Sequence, residues 1–171
     1  MLNIKSDTMK HLVLVGMVWL CSLVSVVAQS VPQVIPALQQ WQPAKGKLVL
    51  PESGKVIVSS DEEGILKQSA EILVQDLKEM FGWNYRVVVG KKEKEAVYLT
   101  LSKPDKTLGD EGYRMDIRNG VTIEAPTSKG VFWGTRTLLQ MIHNQPEGLM
   151  KGLATDFPLY PNRGFMIDVA R

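Results

Sequence analysis

The feature that most constrains this chain is the run from Gly112 to Ala125, GYRMDIRNGVTIEA. Tyr113, Met115 and Ile117 alternate with Arg114, Asp116 and Arg118, and Val121, Ile123 and Ala125 resume the alternation beyond Asn119-Gly120. Period-two patterning predicts two strands that each turn one face to a core. The Asn-Gly pair predicts a tight hairpin turn in which both residues take a positive φ. A fold built around this hairpin has to place an apolar layer on one side of it.

Two helical patterns supply that layer. Ile65, Leu66, Ser69, Ala70, Leu73, Leu77, Met80 and Phe81 recur at three- and four-residue spacing, with Lys67, Glu71, Gln75 and Lys78 off the stripe. Ser60 and Glu63 have the spacing of a capping box, and Gly82 suits the left-handed residue that ends a helix. The second pattern is Val131, Phe132, Thr135, Leu138, Leu139 and Ile142, capped by Thr127 or Ser128. Gly134 inside it costs about 1 kcal/mol relative to Ala, which predicts a close approach to a neighbouring backbone. Further strands are expected at Lys47–Leu50, Lys55–Ser59, Tyr85–Val89 and Ala96–Ser102. The order predicts an α+β domain over residues 29–143, a mostly antiparallel sheet with two helices on one face. Residues 29–46, broken by Pro32, Pro36 and Pro43, read as a lead-in, and 144–155, with Pro146, Gly148 and Gly152, as a linker. Residues 156–171 begin something new, with a strand-like run from Phe165 to Val169.

The first 28 residues have a different character. Lys5 and Lys10 precede an apolar run from Leu12 to about Val27, and Val26-Val27-Ala28 supplies short residues at a cleavage point. This is the layout of a secretory signal peptide cleaved after Ala28, with Met9 an equally good start. The run is shorter than the roughly 20 residues of a membrane span and contains Ser22 and Ser25. Cys21, the only cysteine, lies inside it, and Leu20 before it does not suit lipidation. The expected mature protein is periplasmic or extracellular, with no thiol and no membrane span. The full chain carries +2 from 20 basic and 18 acidic residues with no basic stripe, which argues against nucleic acid as a partner. His143 is the one histidine past the leader, so neither a nucleophilic triad nor a histidine metal cluster is available, and no cofactor or metal is expected. Asp61-Glu62-Glu63 sits in a helix's first turn, where the dipole explains it. Phe132 and Trp133 are expected in the core, as are Trp41 and Trp83 in core or interface.

Three stretches together resemble the bacterial family 20 glycoside hydrolases, the β-N-acetylhexosaminidases. They are the hairpin Gly112–Ala125, the helix GVFWGTRTLLQMI from Gly130 to Ile142, and DFPLYPNRGFMIDVAR from Asp156 to Arg171. The third carries most of the likeness, because R-G-x-x-x-D-x-A-R resembles the family's first barrel strand. Leu159 departs from the Arg many members carry there. The resemblance implies that residues 156–171 open a (β/α)₈ barrel that this chain leaves truncated. It implies hydrolysis of terminal N-acetylglucosamine or N-acetylgalactosamine from glycans by substrate-assisted retaining catalysis, in which the sugar's own acetamido oxygen attacks the anomeric carbon. The family's catalytic Asp-Glu pair lies beyond residue 171, so this chain holds no catalytic residue and is expected to be inert alone. Arg171 matches the family's sugar-binding Arg at the end of that strand, where a fork of N–H donors suits two neighbouring hydroxyls. From spacing alone Arg171 is an exposed charge. Asp168 either fixes that Arg or lies beneath the pocket. Two other readings stay open, a stand-alone secreted domain that binds glycan or protein, and the N-terminal domain of another glycosidase family. If the leader is cleaved as read, N-terminal sequencing of the exported protein starts at Gln29. A start at Met1 or Met9 in the exported fraction refutes it.

Overall fold

The computed structural model describes residues 31–160 and Gly164. The leader and its cleavage point, the run Phe165–Val169, and both Asp168 and Arg171 lie outside the described residues. The elements in chain order are β1 (Gln40–Leu48), β2 (Ser53–Val58), a 3₁₀ turn (Ser60–Glu62), α1 (Glu63–Phe81), β3 (Asn84–Val89), β4 (Val97–Leu101), β5 (Tyr113–Ile117), β6 (Val121–Ala125), α2 (Ser128–Asn144) and β7 (Leu149–Asp156). All seven strands join one sheet in the order β1-β7-β5-β6-β4-β2-β3.

The fold is α+β with one sheet and two helices, but the sheet is mixed where a mostly antiparallel one was expected. The β2–β3, β2–β4 and β4–β6 ladders are parallel, while β1–β7, β5–β6 and β5–β7 are antiparallel. The cause is the crossover: α1 runs back along the sheet between β2 and β3, so β3 re-enters in the direction of β2. The short β3–β4 connection suffices because Val89 is level with Val58 and Val97 with Val56, only two rungs back along β2. Within it Glu93 reaches Lys55 at 2.7 Å. Lys55 and Ile57 share a face by alternation, so this connection covers the side of β2 turned away from the core and helps leave Ile57 fully buried.

A second correction concerns residues 144–155. They are not a linker: Leu149–Asp156 is strand β7, between β1 and β5. Gly152 looks like a loop residue, yet it is needed within the strand because a Cβ there would lie 2.5 Å from the Trp41 indole. Strand β1 likewise begins at Gln40, seven residues before the predicted start, and tolerates Pro43 at a register shift between Pro43 and Lys47.

The hairpin forms as predicted, with Ile117 opposite Val121, but neither Asn119 nor Gly120 adopts a left-handed φ. Gly120 instead makes room for the chain entering β4. A Cβ on it would stand 2.8 Å from the Ala96 carbonyl oxygen, while Glu95 N–H donates to Asn119 O at 2.6 Å and Val121 N–H to Ala96 O at 2.9 Å. The left-handed residue here is Glu95, at φ 56°.

Helix α1 buries Leu66, Ser69, Ala70, Leu73 and Leu77, and leaves Ile65 and Met80 exposed at the margins of its stripe. The capping box does not form: Ser60 opens the 3₁₀ turn and α1 has no side-chain cap. Its other end matches expectation. Gly82 sits at φ 72°, its N–H donates to Lys78 O at 2.9 Å, and Trp83 N–H donates to Leu77 O at 3.2 Å. Thr127 caps α2, accepting from Gly130 N–H and donating to Asp110 O.

Helix α2 lies on the hairpin through two glycines. A Cβ on Gly134 would meet Ile123 Cγ2 at 2.5 Å and the Tyr113 ring at 3.2 Å, and one on Gly130 would run into the Gly112 carbonyl oxygen. The close approach predicted at Gly134 is thus to side chains, and the backbone approach is one turn earlier. Gly130→Ala should destabilise the fold by about 1–3 kcal/mol in urea denaturation, because a backbone carbonyl cannot swing aside. Gly64→Ala in α1, with open space around it, should be neutral or stabilise by up to about 1 kcal/mol. Equal effects at the two sites would refute this account of the contact.

Candidate functional site

The chain leaves the sheet at the C-terminal end of β7, and the side chains there are held by a shared polar network. Tyr113 on β5 and Asp156 on β7 are register partners, which brings both over α2 beside Thr137. The Tyr113 hydroxyl donates to Asp156 Oδ2 at 3.2 Å and lies 2.6 Å from Thr137 Oγ1, which donates in turn. Asp156 Oδ1 accepts from the Gln39 backbone N–H at 3.2 Å. One carboxylate therefore ties the lead-in, the sheet and the second helix together.

The lead-in is fastened along α2 by residues one helical turn apart. Gln140 pairs with Ile35 in both directions, accepting from its N–H at 2.8 Å and donating to its carbonyl at 3.1 Å. Asn144 Nδ2 donates to Gln33 O at 2.7 Å, and Val34 between them is buried in the core. A cavity of about 320 Å³ opens beside these contacts, lined by Trp133, Arg136, Gln140, Asp156 and Tyr160 among others. Its surroundings are unusually apolar for a surface: Ile35 is 86% exposed, Tyr160 72%, Leu159 66% and Trp133 42%. Trp133 is therefore not a core residue as expected. Phe132 beside it is half-buried, with the Arg136 guanidinium 4.7 Å above its ring and 2.5 Å from Asp76 on α1.

Several charged side chains of the described residues pair with one another. Asp105 pairs with Arg114 at 2.6 Å, and hydrogen bonds from that guanidinium and from the Thr107 N–H hold its carboxyl below the ordinary carboxylate range. Asp116 pairs with Arg118 at 2.6 Å. No group of three or more metal-ligating side chains occurs among the described residues, and none of their helices is long and apolar enough to cross a membrane. His143 stands in the last turn of α2. The predicted sugar ligand Arg171 and its neighbour Asp168 cannot be compared with this network, since both lie outside the described residues.

Comparison with known proteins decides the family. The model of glycosyl hydrolase family 20, domain 2, matches residues 31–157. The chain belongs to glycosyl hydrolase family 20. A lacto-N-biosidase of Bifidobacterium bifidum is 31% identical over 135 residues, which are 78% of this chain and 12% of that protein. A β-hexosaminidase of Porphyromonas gingivalis is 26% identical over 81% of this chain and 19% of its own length. Among solved structures, the family 20 β-N-acetylhexosaminidase of Streptomyces coelicolor superposes with a TM-score of 0.63 at 28% identity, over 78% of this chain and 28% of that one. The chain thus spans less than a fifth of the length of these curated relatives. The matched stretch, from Val31 through Phe157, takes in the lead-in, the whole sheet and both helices.

Burial of two tyrosine hydroxyls, Tyr113 in this network and Tyr85 on β3 outside it, has a pH consequence. Desolvation pushes the Tyr85 hydroxyl from 10 up to about 12, and burial raises Tyr113 as well, ahead of the opposing Thr137 hydrogen bond. A folded-state pKa above the unfolded value means that stability is intact below pH 10 and is lost as pH rises beyond it. Alkaline unfolding followed by circular dichroism should set in above pH 10, and Tyr85→Phe should move it upward. A midpoint unchanged in that variant overturns the assignment.

Proposed function

We propose that this chain is the N-terminal part of an exported β-N-acetylhexosaminidase that releases terminal N-acetylglucosamine or N-acetylgalactosamine from glycans. The observation that carries the reading is the family 20 match over residues 31–157, together with the barrel-strand motif Arg163 to Arg171 that follows it. The names of the relatives support it: a β-hexosaminidase, a β-N-acetylhexosaminidase and a lacto-N-biosidase. In this reading residues 1–28 direct export to the periplasm or beyond, and residues 156–171 open a (β/α)₈ barrel. Arg171 hydrogen-bonds the sugar's hydroxyls with Asp168 positioned beneath it. The catalytic Asp-Glu pair belongs to sequence downstream of residue 171.

The domain of residues 31–157 then serves as a support. Its apolar surface of Ile35, Trp133, Leu159 and Tyr160 surrounds the point at which the chain departs, and a patch of that kind calls for cover. The barrel that follows in the same polypeptide is the occupant in this reading. Contact in this reading is through the outer side of α2, because the open sheet face is polar, with Arg114, Asp116, Thr122 and Glu124 on it.

The 31%-identical relative favours a second reading, a lacto-N-biosidase activity. One pair of chromogenic substrates separates them. The protein extended to the length of its relatives should hydrolyse p-nitrophenyl N-acetyl-β-glucosaminide in preference to the lacto-N-bioside, and the 171-residue chain should cleave neither. In the extended protein Arg171→Ala should lower kcat/KM by about a hundredfold, the worth of two charge-assisted hydrogen bonds to hydroxyls. Turnover by the short chain, or an extended protein that acts only on the bioside, rejects the first reading.

A further inference from the structure

A second cleft, of about 300 Å³, lies at the end of the sheet where both helices terminate, between the β1–β2 loop, the end of α1 and the end of α2. Phe81 and Trp83 form its aromatic wall, with ring centroids 5.6 Å apart. That wall is fixed in advance: Trp83 stacks on Tyr85 at 5.9 Å, and the Tyr85 hydroxyl donates to Pro51 O at 2.8 Å. His143 completes it, 6.5 Å from Phe81.

Three polar groups around the cleft have hydrogen-bonding capacity to spare. The Glu52 carboxylate, on the exposed rim, has no side-chain partner among the described residues. The His143 imidazole is exposed, with its ring centroid 6.5 Å from that of Phe81. Gln145 accepts from Met150 N–H through Oε1 at 2.7 Å, which fixes the amide's orientation and leaves Nε2 buried without an acceptor. No lysine or arginine lines the cleft, and the carbonyl ends of two helices point toward it. Both facts disfavour an anion. The ligand these groups suit is neutral, offers hydroxyls that both donate and accept, and has an apolar edge to lie against aromatic rings. The volume sits at the small end for ligand sites.

We propose that this cleft binds a single neutral pyranose residue of a glycan, with Phe81 and Trp83 against the ring's C–H edge and Glu52, His143 and Gln145 taking its hydroxyls. The inference does not depend on the activity proposed above, which concerns residues outside this cleft. The test is titration of the exported chain with N-acetylglucosamine, galactose and, as a cationic control, glucosamine, followed by amide chemical shifts. The expected result is saturable binding of a neutral sugar with a dissociation constant of about 1–10 mM, as one ring with few contacts gives. Shifts should cluster at Glu52, Trp83, His143 and Gln145. Glu52→Gln and His143→Ala, both exposed and so compatible with the fold, should each weaken binding about tenfold with no change in Tm. Binding of glucosamine alone would mean an ammonium site and overturn the proposal. So would shifts that map elsewhere, affinity unchanged in both variants, or no saturation with any neutral sugar.

Discussion

Everything in this domain depends on how closely α2 lies on the β5–β6 hairpin. The contact is made at Gly130 and Gly134, where the helix has no side chain to hold it off Gly112 O and Ile123. Leu138, Met141, Val131 and Thr135 then reach depths at which none is exposed. Such contact makes the core sensitive to a single methyl group, since dense packing leaves no room to give. It also sets the height of the helix above the sheet, and with that the position of Thr137 against the Tyr113 hydroxyl. The polar network at the chain's exit is therefore a product of apolar packing a turn away.

That network explains why the domain's two ends meet. Strand β7 is hydrogen-bonded to β1 on one side and β5 on the other, so the lead-in and the departing chain run as neighbours. Gln140 and Asn144 hold the lead-in by its backbone, which satisfies groups that a loop on the surface would otherwise give to water. Asp156 closes the arrangement from the other strand. The residues that fix the exit are drawn from the lead-in, the sheet and α2.

The sequence showed what is local and hid what is not. Periodicity revealed both helices and the β5–β6 hairpin, because an amphipathic stripe or an alternating pair is complete within about twenty residues. Gly82 as a helix stop and Thr127 as a cap were legible for the same reason. Strand β7 was not, since Gly148, Gly152 and Pro146 have the look of a linker, and only Trp41, more than a hundred residues earlier in the chain, explains Gly152. Parallel pairing was hidden as well: nothing in Val97–Leu101 says that its partners are β2 and β6. Asn119-Gly120 misled about backbone angles while marking the right place, because the glycine was needed for the neighbouring segment at Ala96. Trp133 misled through spacing, which gives a side chain's position around the helix but not what is absent opposite it. The predicted sugar-binding pair, Asp168 and Arg171, rests on the motif resemblance, and no geometry among the described residues bears on it.

The acidic side chains argue for the division of labour that the family reading implies. Retaining hydrolysis of a glycoside needs an acid that can give up a proton beside the leaving oxygen, with a second group poised at the anomeric carbon. In the described residues Asp76, Asp105 and Asp116 are each engaged by an arginine, Glu93 by Lys55, Glu147 by Lys47, and Asp156 by Tyr113 and Gln39. Each engagement joins segments distant in sequence or anchors a loop, except the Asp116–Arg118 pair within one strand end. At Asp105 the hydrogen bonds from Arg114 and the Thr107 N–H hold the carboxyl below the ordinary carboxylate range, which suits a brace and works against an acid catalyst. The carboxylates engaged in this way brace one segment of the fold against another.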